Sequence, residues 1–232
     1  SLADAPVSAR DTAMRLGVCT GQPPLASALA AWGALLGYRD LVHAAARLVC
    51  RVPESAIDAD AVLDVEGGVA GMLLAVLAVH TSTPDDRLLA LARRCVTRLL
   101  AAQITAGAHR GAWLAGDQPV ARPGFAHGAA GIAAALSRWA ERTADGTAHG
   151  AIGAAWDFER RVAADNGGRY PTERSDGSRL VMAAWCHGAP GIALGRILAP
   201  PDLVDARLRQ DVQDAMLQTL QAPAGQLDHL CC

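Results

Sequence analysis

Three phrases constrain this chain more than anything else in it: EGGVAGMLLAVL from Glu66, AHGAAGIAAAL from Ala126 and CHGAPGIALGRI from Cys186. Each runs from a small or polar residue through Gly, two further residues and Gly into an apolar segment. Their first glycines, Gly68, Gly128 and Gly188, are 60 residues apart both times. CTGQPPLASALAAW is a weaker relative that keeps Gly21 before an alanine-rich stretch but lacks the second glycine. Self-similarity at a fixed period means stacked copies of one supersecondary unit, none able to bury its apolar face alone.

Each unit holds two helices of different character. The segment after the glycine pair, Val69–Val79 or Ala129–Leu136, is apolar or small on nearly every side, which predicts a helix buried all round. Its partner is amphipathic. In DRLLALARRCVTRLLAAQ, Leu88, Leu91, Ala92, Cys95, Val96, Leu99 and Leu100 form one face, and Arg87, Arg93, Arg94, Thr97 and Arg98 lie mainly opposite. Leu203, Leu208, Val212, Met216 and Leu220 predict a similar stripe. Buried helices alternating with amphipathic ones imply an inner ring shielded by an outer one, an all-α fold of the α/α-toroid kind. Strands are not expected anywhere, and no linker marks a second domain within residues 1–232.

Composition agrees. Aromatics make up 4 % of the chain and alanine is abundant, which favours helices packed closely through small side chains over a sheet. With 21 basic against 23 acidic residues, a net charge of -2 and no run of like charge, neither nucleic acid nor a charged membrane surface is an expected partner. Residues 1–20 lack the pattern of a secretory signal, and no apolar run approaches the roughly 20 residues of a membrane span. A cytoplasmic protein is therefore expected, its six cysteines serving as thiols or metal ligands rather than disulfides. Cys19, Cys50 and Cys95, set among apolar residues, are expected in the core.

Glycine before an inner helix permits a tight or left-handed turn and a close approach of the helix's first turn to its neighbours. Unpaired amides give that helix end partial positive charge, which favours thiolates and other anions. In successive repeats this region carries Asp64, His127 and Cys186-His187. Polar residues recurring at one place in a ring point to a central site.

DVEGGVAG, GFAHGAAGIAAAL, AAWCHGAPGIALGRI and the terminal DHLCC together resemble successive signatures of the lanthionine synthetase C-like cyclases. More narrowly, they resemble the C-terminal cyclase domain of class II, bifunctional lanthipeptide synthetases, as does AIGAAWDFERRV followed by RYPTER. The resemblance covers roughly Leu16 to Cys232. It implies a toroid with a zinc ion near its centre, held by Cys186, Cys231 and Cys232. It also implies a catalytic His127 assisted by Asp64, and a substrate that is a lanthipeptide precursor with leader and core. In that reading a cysteine thiolate adds to dehydroalanine or dehydrobutyrine to close a thioether ring, and His127 protonates the resulting enolate. The pattern departs from the family in three ways. Met182 stands where nisin-type cyclases carry arginine, with Arg179 nearby; the upstream dehydratase domain is not in the sequence; and the helix expected after Cys232 is missing, so the toroid is expected to be incomplete at that end.

Two other readings compete: an inactive remnant or peptide-binding toroid, and another toroid enzyme such as a zinc prenyltransferase or a glycosidase. A glycosidase needs two facing carboxylates, and the repeat position offers Asp64 alone. The blander assignments are helix capping for Asp64, shaping of the ligand loop for Asp228 and His229, and solvated or structural roles for His43, His80, His109 and His149; His187 is expected either to face the cavity and contact substrate or to hydrogen-bond its own turn. Trp32, Trp139 and Trp156 are expected to pack between layers, and Trp185 behind the metal.

Overall fold

A computed structural model describes residues 15–116, 120–173 and 179–222. Its helices in chain order are α1 (Pro23–Leu36), α2 (Arg39–Val49), α3 (Glu54–Asp58), α4 (Val69–Ser82), α5 (Asp86–Ala102), α6 (Ala129–Thr143), α7 (His149–Ala164), α8 (Ala189–Ile197) and α9 (Ala206–Leu220).

Two layers follow from which helices touch. α1 packs on α4, α4 on α6 and α6 on α8, forming an inner row; α2, α5, α7 and α9 each cover the inner helix that precedes them. This is the expected all-α, toroid-like architecture, and the buried faces agree with it. α4 buries every residue from Val69 to Leu73, together with Ala75, Val76, Leu77 and Val79, while α5 buries only the stripe Leu88, Leu91, Ala92, Cys95, Val96 and Leu99. Asp85 starts α5 by accepting the Arg87 N–H at 2.8 Å, and Asp205 does the same for α9 with the Leu208 N–H at 2.7 Å.

The inner helices approach closely because small residues face one another. A Cβ added at Gly195 of α8 would stand 3.0 Å from Ala130 O of α6; α1 buries Ala26, Ala30 and Gly33, the last facing Val42 of the outer helix α2. The large side chains of α1 therefore turn outward. Trp32, expected between layers, is exposed along with Leu25, Leu35 and Leu36, whereas Trp139 and Trp156 are buried as expected. Cys19 and Cys50 are likewise exposed, and of the three cysteines expected in the core only Cys95 is there.

Two further expectations fail. A short antiparallel ribbon, β1 (Pro171–Glu173) paired with β2 (Arg179–Val181), precedes the Cys186 loop, with Thr172 opposite Leu180. On α9, Leu208 and Ala215 face inward, but Met216 and Leu220 of the expected stripe are exposed. A buried ion pair sets that rotation. Arg196 of α8 and Glu159 of α7 are joined with both side chains fully enclosed, and Asp211 of α9 accepts from Arg196 Nε at 3.2 Å and from Arg160 Nη2 at 2.7 Å. Burial pushes the Glu159 carboxyl up, opposed by the Arg196 charge. An uncompensated ion in this interior is so unfavourable that α9 turns its acid, rather than its full apolar stripe, toward the core.

Candidate functional site

The loops that enter the inner helices are tied to one another. The Cys19 N–H donates to Glu66 O at 3.2 Å, the Glu66 N–H to Ala126 O at 3.1 Å and the Ala126 N–H to Cys186 O at 3.2 Å. Each bond joins the residue two before one first glycine to the residue two before the next, so Cys19, Glu66, Ala126 and Cys186 are structural equivalents. One position further on, Thr20, Gly67, His127 and His187 are equivalent in turn. The weak fourth phrase around Gly21 is thereby a true member of the repeat.

The glycines have a steric reason. A Cβ at the second glycine would lie 2.2 Å from Val65 O at Gly71, 1.8 Å from Phe125 O at Gly131 and 2.1 Å from Trp185 O at Gly191. Each inner helix is pressed against the carbonyl of its own entry loop. Among the first glycines Gly21 and Gly188 have positive φ, 78° and 101°; Gly128 is extended, and a Cβ there would meet Arg122 O at 2.5 Å.

Asp60 fixes the loop that carries Asp64. Its carboxylate accepts from Leu63 N at 2.9 Å and from Val69 N, the first residue of α4, at 2.8 Å, while Leu63 is held at a left-handed φ of 62°. Such a strained non-glycine conformation persists only where its surroundings over-determine it. The helix-capping role that sequence offered to Asp64 thus belongs to Asp60. The Asp64 carboxylate is 3 % exposed, accepts from Gly67 N at 2.8 Å through Oδ1 and meets His127 Nδ1 at 2.9 Å through Oδ2.

The other ring nitrogen of His127, Nε2, is paired with Glu66 Oε2. Two carboxylates on opposite nitrogens demand two N–H donors when both are ionised, which makes the ring an imidazolium. The hydrogen bond that His127 Nδ1 donates to Asp64 is the largest cause holding the His127 pKa above its usual value; burial opposes it, and the charges of Asp64 and Glu66 add to it. His187 stacks on the same ring, with centroids 5.5 Å apart and planes at 26°. Its own pKa is pulled down to about 4, first by burial and then by the neighbouring positive charges of His127 and Arg122. Its Nδ1 is buried with no hydrogen-bond partner among the described residues.

Cys186 lies beside this pair as a free, buried thiol, packed with Ala126 and Ala184 and covered by Met182 and Trp185. Trp185 also sets its edge against Phe125 at 6.2 Å. Met182 occupies space beside the cysteine where the other branch of the resembled family carries arginine; Arg179 lies in β2, its side chain outside the described residues.

Of the residues expected from sequence, the structure joins Asp64 directly to His127, with Cys186 in the adjacent loop. Cys231 and Cys232, with Asp228 and His229, lie outside the described residues, and among the described residues no group of three His, Cys, Asp or Glu is arranged to hold a metal. The donor chemistry still suits zinc, since a free thiol at Cys186 plus a cysteine pair is a soft three-ligand set of the kind that leaves one position open. His43 is exposed, His149 meets Asp202 at 3.4 Å, His109 packs edge-on against Phe158, and the pKa of His80 is lowered chiefly by burial. Sequence reading missed Glu66 and left His187 undecided. The signal for both was present in the register, because EGG, AHG and CHG align residue for residue.

Residues 2–232 match the family model described as Lanthionine synthetase C-like protein. No curated protein matches the chain.

Proposed function

The chain belongs to the lanthionine synthetase C-like family, and we propose that it is the cyclase domain of a class II lanthipeptide synthetase. Its substrate would be a precursor peptide already dehydrated by a partner domain, and its product a lanthionine or methyllanthionine thioether. The observation that carries this reading is His127 held between Asp64 and Glu66, a ring poised to give up a proton.

A thiolate adding to the β-carbon of a dehydroamino acid pushes the π pair toward the α-carbon and its carbonyl. The resulting enolate needs a proton at the α-carbon. His127 supplies it from Nε2, and Asp64, anchored by Gly67 and nearly sealed from water, fixes the ring's direction and stabilises its charge. α6 begins two residues after His127, and the positive end of its dipole favours the anionic enolate. Cys186, Cys231 and Cys232 would hold zinc, which, when bound, acidifies the thiol of a substrate cysteine. Trp185 and Met182 keep water from the Cys186 side. The chemistry belongs in the cytoplasm, where thiols stay reduced; among the described residues no helix is long and apolar enough to cross a membrane.

The test is a dehydrated peptide bearing one cysteine, incubated with the zinc-supplemented chain and then with an alkylating reagent. Loss of the alkylatable thiol without loss of mass from the peptide supports the cyclase. A thiol that stays fully alkylatable ends the reading. Zinc content tests the metal separately: about one ion per chain is expected for a catalytic site, with loss on Cys186→Ala.

A further inference from the structure

We propose that Glu66 is a positioning residue that covers the outer nitrogen of His127 at rest and returns a proton to it after each turnover. This inference rests on the cyclase reading, which gives His127 the proton-donating step. Its starting point is an asymmetry between the two acids on one ring. Asp64 is 3 % exposed and has its second oxygen committed to the Gly67 N–H; Glu66 is 39 % exposed and reaches Nε2 from the loop position shared with Cys19, Ala126 and Cys186. A buried, doubly anchored carboxylate stays in place. A half-exposed glutamate on a longer stem swings aside when the α-carbon must meet Nε2, and it meets solvent when it does.

Proton balance requires such a group. The S–H bond of the substrate breaks and its proton is released; the S–C bond forms as the π pair moves to the α-carbon; the Nε2–H bond breaks as the new Cα–H bond forms. One proton leaves the thiol and one enters the product, so no net acid is consumed, but His127 is left neutral with its donor site empty. The thiol proton must therefore travel back to Nε2. Among the ionisable groups acting on the ring, Asp64 faces the wrong nitrogen, His187 stacks on the ring's face rather than meeting Nε2, and Arg122 is a guanidinium that keeps its protons. Glu66 alone among them both touches Nε2 and faces water. As a carboxylic acid it hands its proton to Nε2 and becomes the carboxylate that then pairs with the imidazolium.

The experiment compares wild type, Glu66→Gln and Glu66→Ala in the full, zinc-supplemented chain. Glu66→Gln keeps the shape but not the acid, and it should lower kcat by about tenfold while leaving KM nearly unchanged, a fraction of what general acid catalysis contributes. Added formate should restore turnover to Glu66→Ala, which a merely structural role would not allow. A second arm needs no turnover: nitrogen NMR of the His127 ring should show it losing its proton at lower pH in Glu66→Gln than in wild type. Wild-type kcat in Glu66→Gln, or an impaired Glu66→Ala that formate leaves unchanged, overturns the proposal. If the wild-type chain cyclises nothing, the cyclase reading falls and the NMR arm decides alone; an unchanged His127 titration in Glu66→Gln then overturns the placement of Glu66 as well.

Discussion

His127 and His187 occupy the same position in consecutive repeats, one residue before the first glycine of the pair, and their rings stack. Their chemistry is opposite. His127 has a carboxylate on each nitrogen and is pushed toward the charged form; His187 has a buried, unpartnered Nδ1 and is pulled down to about 4. The repeat decides where an imidazole goes, and the neighbours that other loops bring decide what it does. Asp64 and Glu66 both come from the preceding repeat, so a unit supplies the acid–base environment of the next unit's histidine rather than of its own. Proximity then works against His187, because a cation already present on His127 disfavours a second one stacked on it.

The largest effect expected is a difference between the two rings in catalysis. His127→Ala should slow thioether formation by about 10²–10⁴-fold, and His187→Ala by far less, measured as the rate at which the substrate thiol becomes resistant to alkylation. Equal losses would mean that the rings act as a unit and that the contrast is false.

Next in size is the tie between the repeats that carry them. Glu159 of α7, in the repeat of His127, and Arg196 of α8, in the repeat of His187, form the enclosed pair. Arg196→Met strands Glu159 and should destabilise the fold by about 3–5 kcal/mol, read from urea unfolding. Replacing both partners with apolar residues of similar volume should recover much of that loss. If the double variant is no better than the single one, the pair is not acting through burial of charge.

The smallest effect is on stability against pH, and its two parts have opposite signs. For His127 the folded pKa is raised, so its carboxylate contacts stabilise fully below the unfolded value of about 6.5 and are lost as pH rises through the folded value. For His187 the folded pKa is lowered, so stability falls as pH drops below the unfolded value and levels off below about 4. His127→Gln should flatten the alkaline side of a plot of urea midpoint against pH, and His187→Gln the acid side. Swapped sensitivities would show the assignments to be reversed.

Much of this was legible in the chain. The 60-residue period and the character of α4, α5 and α6 announced two layers of helices, because burial leaves its periodicity in sequence. His127, Asp64 and Cys186 stood out as polar residues at a repeated turn. What resisted reading was orientation. Trp32 was placed inward by its hydrophobicity, but α1 packs through Ala26, Ala30 and Gly33, and only the neighbouring helices determine that the small face wins. The stripe on α9 was misassigned because Asp211 faces inward to partners 15 and 51 residues away, Arg196 and Arg160.

Sequence by itself determined the period, the helical class, the family signatures and which residue types reach the axis, since each is written in local pattern. Tertiary structure decided that Glu66 closes on Nε2, that Asp60 rather than Asp64 caps α4, and that the pKa of one histidine is raised while that of its equivalent is lowered. The physical reason is range. Periodicity and turn chemistry act over a few residues, whereas the protonation of a ring depends on charges and burial within a few ångströms, supplied by loops about 60 positions apart in the chain.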